Sequence, residues 1–219
     1  MRRLLHLLLI GALFAPVAAS AQGLAIAGHA GTLGLGGSVI LGLSPRLNVR
    51  GTFGVVPTEP EFTVDGVDFT VDFPTFLRAT VDFYPTGFFH LSAGGLFVSD
   101  DGDIKVVGEF TGTQDFGGTT YAAADVGNLT GSFAFNNAMP YLGIGFGNPV
   151  GRRIGLSLDL GVGFGDVPTV DLGATGLIAN DPTFTNDLNT RESEFEQDIP
   201  ELLHYYPVAT LSVSIGLGG

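Results

Sequence analysis

The sequence predicts an all-β fold, a small antiparallel barrel of about eight strands that crosses a membrane. Three observations predict it. Extended segments of roughly ten residues alternate large apolar side chains with Gly, Ser, Thr or a charge, which is the pattern of a spanning strand with two unlike faces. The apolar side of each segment runs almost without interruption, as contact with hydrocarbon requires. The connections alternate between tight turns rich in Pro and Gly and long excursions, the habit of barrels with short inner turns and long outer loops.

Taken in order, the chain opens on Arg2 and Arg3 and an apolar run from Leu4 to Val17, followed by the small residues Ala19-Ser20-Ala21. This is the layout of an export signal, with cleavage expected before Gln22. Residues 22–219 then form one domain. No later stretch is apolar for the ~20 residues that a spanning helix needs. The first strand is the faintest, within Gln22 to Ala30 before a bend at Gly31. It is needed because bacterial barrels of this kind carry an even number of strands.

The other seven are plain. The run Leu33 to Leu41 places mostly large residues at odd positions and Gly or Ser at even ones. In the next, Leu47, Val49, Phe53 and Val55 oppose Arg46, Asn48, Arg50 and Thr52. Leu77, Ala79, Val81 and Phe83 oppose Arg78, Thr80 and Asp82. Phe89, Leu91, Ala93 and Phe97 oppose His90, Ser92 and Gly94. Leu142, Ile144 and Phe146 oppose Gly143, Gly145 and Gly147. Leu156 to Phe164 alternates with Ser157, Asp159, Gly161 and Gly163, and Ala209 to Leu217 alternates with Thr210, Ser212, Ser214 and Gly216. Aromatic pairs at strand ends, Phe83-Tyr84, Phe88-Phe89 and Tyr205-Tyr206, are expected to form interfacial girdles.

Tight turns are expected at Ser44-Pro45-Arg46, Tyr84-Pro85-Thr86-Gly87 and Asn148-Pro149-Val150-Gly151. The excursions are Pro57–Phe73, Ser99–Phe135 and Gly173–Tyr205, with a hairpin tip at Val64-Asp65-Gly66-Val67. The third holds one short acidic helix over about 182–204. Asp181 is its N-cap, Pro182 its first residue, and Pro200 a kink or stop.

Composition excludes several functions. The formal net charge is −13, from 9 Lys+Arg against 22 Asp+Glu, and loss of the leader arginines makes it more negative. Binding to nucleic acid or to anionic head groups needs clustered cations and is excluded. An acidic mouth would instead concentrate cations. With no Cys there is neither a disulfide framework nor a thiolate metal site. The 34 Gly far exceed the usual ~7% share, and their place on the polar faces suits a narrow interior.

The segments resemble, in order, those of the CarO-type outer-membrane barrels, described as ornithine-uptake porins. The resemblance rests on Gly31-Thr32-Leu33-Gly34-Leu35-Gly36-Gly37, Val64-Asp65-Gly66-Val67 and Phe116-Gly117-Gly118-Thr119-Thr120-Tyr121. It continues through Met139 to Gly147, Asp159-Leu160-Gly161-Val162-Gly163 and Tyr206-Pro207-Val208. It implies an eight-stranded monomeric barrel in the bacterial outer membrane, with little or no open channel. Two functions follow as expectations: passive uptake of small cationic solutes such as basic amino acids, or a closed structural barrel using its loops for surface contact.

The candidate site is a set of lumen polar residues, Asn48, Arg50, Arg78, Thr80, Asp82 and Asp159. Pointing inward, their charges must pair or be hydrated. They are either a constriction that selects small charged solutes or an electrostatic plug that stiffens a closed barrel. Lumen glycines are expected to leave room for water. No cofactor or metal is expected: Asp100-Asp101-Gly102-Asp103 lacks the spaced ligands and terminal Glu of a calcium loop. Catalysis is not expected either. His90 and Ser92 share a face about 7 Å apart, too far for a hydrogen bond without rearrangement, no nucleophile elbow is present, and an enzyme would need His90 or His204 beside an activated hydroxyl and a carboxylate.

Overall fold

Alternation of this kind is satisfied only if each strand finds partners on both edges, and the chain does so by closing a ring. The computed structural model describes residues 23–64, 67–99, 103–116, 118–166, 169–198 and 205–218. The expected leader, Asp65 and Gly66 of the expected hairpin tip, most of the 100–103 acidic run, Pro200 and His204 lie outside them. In chain order the elements are β1 (Gly23–Gly31), β2 (Gly34–Ser44), β3 (Leu47–Val55), β4 (Glu61–Val64), β5 (Val67–Asp72), β6 (Phe76–Phe83), β7 (Phe89–Val98) and β8 (Asp103–Phe110). There follow β9 (Thr113–Phe116), β10 (Thr119–Ala122), α1 (Ala123–Val126), β11 (Leu129–Ala134), β12 (Ala138–Phe146), β13 (Ile154–Phe164), β14 (Thr169–Ala174), α2 (Pro182–Asp198) and β15 (Tyr205–Gly218).

Eight of these form a closed antiparallel barrel in the order β1-β15-β13-β12-β7-β6-β3-β2, and β2 pairs back to β1. Closure leaves no unpaired backbone edge, the condition for spanning a bilayer with strands. The weakest expectation, a strand before Gly31, is met: β1 pairs with β15 on one side and β2 on the other. Outward positions are apolar and exposed, among them Val39, Val81, Leu91, Ile144, Leu156 and Val213. This is the belt a hydrocarbon layer would cover.

The girdles are half as expected. Phe83 and Phe88 are exposed at the short-turn end, where Phe88 and Phe89 both pack on Phe146. Phe53, Phe97, Phe164 and Tyr205 stand out at the other end. Tyr84 and Tyr206, however, turn inward and are buried. Side chains alternate along an extended chain, so only one member of the Phe83-Tyr84 and Tyr205-Tyr206 pairs can face out.

The excursions are not loops. All three lie at the same end of the barrel, and strands from each combine into a second sheet in the order β14-β11-β8-β5-β4. Val64 pairs with Val67 at the expected hairpin tip. One face of this sheet is apolar and takes α1, α2 and the β9–β10 hairpin. Val67, Phe110, Val126, Phe184 and Leu188 form a core there, separate from the barrel. The molecule is thus a barrel carrying a sheet-and-helix head.

The helix begins as expected. Asp181 Oδ1 accepts the backbone N–H groups of Thr183 at 2.9 Å and Phe184 at 3.2 Å, satisfying donors that the first turn leaves free. Tyr121 Oη donates to Asp187 at 2.7 Å and ties the hairpin to α2; that bond holds the phenol above its usual pKa. Asp181→Ala is expected to destabilise α2 by about 1 kcal/mol. Hydrogen exchange should show faster exchange in residues 183–188 and no change in the barrel strands.

Candidate functional site in the barrel lumen

All six candidate residues face the lumen and are buried. Register places them in levels. Asn48 is opposite Asp82, Arg50 opposite Thr80, and Thr52 opposite Arg78 on the neighbouring β3 and β6. Asp159 comes from β13, which stands four strands from β3 in a ring of eight and so directly across the barrel.

Arg50 spans that gap. Its Nε donates to Asp82 Oδ2 at 2.8 Å, and its Nη1 donates to both Asp159 oxygens at 2.9 and 3.1 Å. Arg50 and Asp159 are each 2% exposed and Asp82 is 0% exposed. Further donors complete the network. Thr80 Oγ1 and Ser92 Oγ donate to Asp82 Oδ1 at 3.0 and 2.7 Å. His90 Nε2 lies 2.9 Å from Asp159 Oδ1. Planar guanidinium suits this bridging because its donors point two ways in one plane. His90 and Ser92 share the lumen face but bond to different carboxylates.

The remaining candidates are apart from this bridge. Asn48 Nδ2 reaches Asn148 Oδ1 at the turn end, at 3.4 Å. Arg78 has no carboxylate partner among the described residues. Its Nη1 donates to Tyr141 Oη at 3.0 Å, and its guanidinium carbon lies 5.0 Å from the centre of that ring.

Above the bridge, toward the head, the lumen turns apolar. Leu33, Phe76, Leu96, Val98, Met139, Tyr141, Tyr206 and Val208 form one buried cluster with Phe135 packed on it. Phe76 on β6 and Tyr206 on β15 meet across the barrel with ring centres 5.2 Å apart. Sequence reading did not find this layer. Its members are apolar residues on faces otherwise read as polar, and some sit at strand ends.

The expectation that lumen glycines leave room for water is corrected. A Cβ at Gly161 would stand 2.5 Å from Tyr141 Cζ and 2.7 Å from the Leu142 carbonyl oxygen. At Gly145 it would run into the His90 ring and stand 2.9 Å from the Leu158 carbonyl oxygen. Gly143, Gly145 and Gly161 make room for the Tyr141 and His90 rings lying across them. Gly145→Ala is therefore expected to push His90 off Asp159 and to lower barrel stability by about 1–3 kcal/mol. Urea midpoints of the folded band in detergent would check it.

Comparison with protein-family models and with curated proteins finds no match. Solved structures do match. Acinetobacter baumannii CarO superposes with a TM-score of 0.59 at 17% identity, covering 88% of this chain and 97% of CarO. Acinetobacter baumannii CarO2 gives 0.59 at 15% identity, covering 89% and 98%. At that identity the likeness is one of fold. It extends over both parts of the molecule: the chain has the fold of a CarO-type barrel.

Proposed function

We propose that this protein is a monomeric outer-membrane barrel closed to solute, exported by a cleaved leader, whose work is done by the head it holds outside the bilayer. The observation that carries the reading is Arg50 joined at once to Asp82 beside it and Asp159 opposite it. A bridge across the full width, under an apolar layer in which Phe76 meets Tyr206, supports a lumen without a continuous polar path for ions. Purified, refolded protein in planar bilayers is expected to give no unit conductance, and liposomes carrying it no ornithine flux above protein-free controls. Discrete channel events from the unaltered chain would overturn the reading.

A second reading, passive uptake of small cations such as basic amino acids, is favoured by the wall formed by β1 and β15. There His29, Thr210 and Ser214 carry buried polar atoms without protein partners among the described residues. Exposed Glu61, Asp68 and Glu109 on the head would draw cations toward it. Passage requires the Arg50–Asp159 contact to open. Ornithine flux through the unaltered protein, raised further in Arg50→Ala, would favour uptake over the closed barrel.

A further inference from the structure

The apolar face of the head sheet is only partly covered. At the end far from the barrel, Phe184 and Leu188 of α2 close over Val67 and Phe110. Nearer the barrel, Val106, Phe133 and Leu172 stay half-buried. They line a cavity of about 440 Å³ together with Leu129, Val170 and Leu188. That volume lies within the range of small-molecule sites.

The floor of this cavity is Gly131, on β11, an inner strand of the sheet. It pairs with Val106 of β8 on one side and Leu172 of β14 on the other. Unlike the lumen glycines, it is not there to admit a neighbour. A Cβ on Gly131 would meet nothing closer than 3.4 Å, from Leu172 Cδ2. A larger residue would fit and would bury apolar surface. Leaving this space unfilled forgoes packing energy, which makes sense if something else fills it.

The walls select the occupant. The lining is mostly aliphatic and aromatic, and its two charged residues, Asp115 and Arg191, are of opposite sign, so a charged molecule would lose hydration and meet no net opposite charge. The chain's strong net negative charge further disfavours anions. Gln114 also borders the space and can hydrogen-bond one polar group of a ligand.

We infer that the recess between the head sheet and α2 binds an uncharged hydrophobic small molecule bearing a single hydrogen-bonding group, such as a phenol or aromatic alcohol. The inference deepens the reading of the head as the working part. Its test reads the head alone, so a conducting lumen would leave the result unchanged.

The chain has no cysteine, so one introduced thiol is a unique reporter. Leu172→Cys places it in the recess, and Glu109→Cys places it on the opposite, exposed face of the same sheet. Full-length refolded protein is labelled with N-ethylmaleimide at rising concentrations of 2-naphthol, and the rate is followed by mass. The expected result is saturable, several-fold slowing at position 172 and none at 109. Adding Gly131→Leu, which fills the floor, is expected to abolish the slowing. Val106→Cys repeats the measurement from the adjacent strand should Leu172→Cys fail to fold. Equal slowing at 172 and 109, no slowing at either recess position, or slowing that survives Gly131→Leu would each overturn the inference.

Discussion

Arg50→Met is expected to cost about 3–5 kcal/mol of barrel stability, the range for breaking a buried ion pair by removing one partner. Methionine keeps much of the volume and none of the charge. Asp82 would retain the Thr80 and Ser92 hydroxyls, and Asp159 would retain His90. Neither carboxylate would have the guanidinium, and both would stay in the lumen. The urea midpoint of the heat-modifiable folded band measures the loss. The triple variant Arg50→Met, Asp82→Asn, Asp159→Asn removes the charges together and is expected to regain most of it, because neutralising a whole buried network is often close to neutral. If the triple variant is as unstable as the single one, shape and not charge accounts for the loss.

Phe76→Ala is expected to cost a similar amount, about 3–5 kcal/mol, as a large-to-small change in a packed interior. The ring is buried against Tyr206 and belongs to the cluster with Leu33, Leu96 and Met139. Leu91→Ala on the outer face of the neighbouring β7 is the comparison. Leu91 is 45% exposed and would contact hydrocarbon in either case, which is as apolar as leucine itself. Its loss should stay below about 1 kcal/mol. Comparable losses at the two positions would mean that the apolar layer of the lumen is not a packed core.

Much of the fold was legible because the barrel strands are governed by local rules. A period of two, a clean apolar face and a tight Pro or Gly turn can each be read from ten residues. The helix start at Asp181-Pro182 is equally local, and the backbone N–H groups bond to Asp181 as expected. The sequence shows that Arg50, Asp82 and Asp159 face inward, since each sits opposite an apolar neighbour on its own strand.

What tertiary structure alone decided is who meets whom. That Arg50 bridges Asp82 and Asp159 depends on β3 and β13 standing opposite in the ring, 109 residues apart in sequence. That the lumen glycines shelter Tyr141 and His90 depends on register across β12, β13 and β7. The head was missed for the same reason. Strands β8 and β11 come from one excursion, while the strands that flank this pair come from the other two. Their apolar face makes sense only once β14 and β5 are laid beside them. Side-chain direction along a strand is set by neighbouring residues, whereas partnership between strands is set by closure of the whole chain.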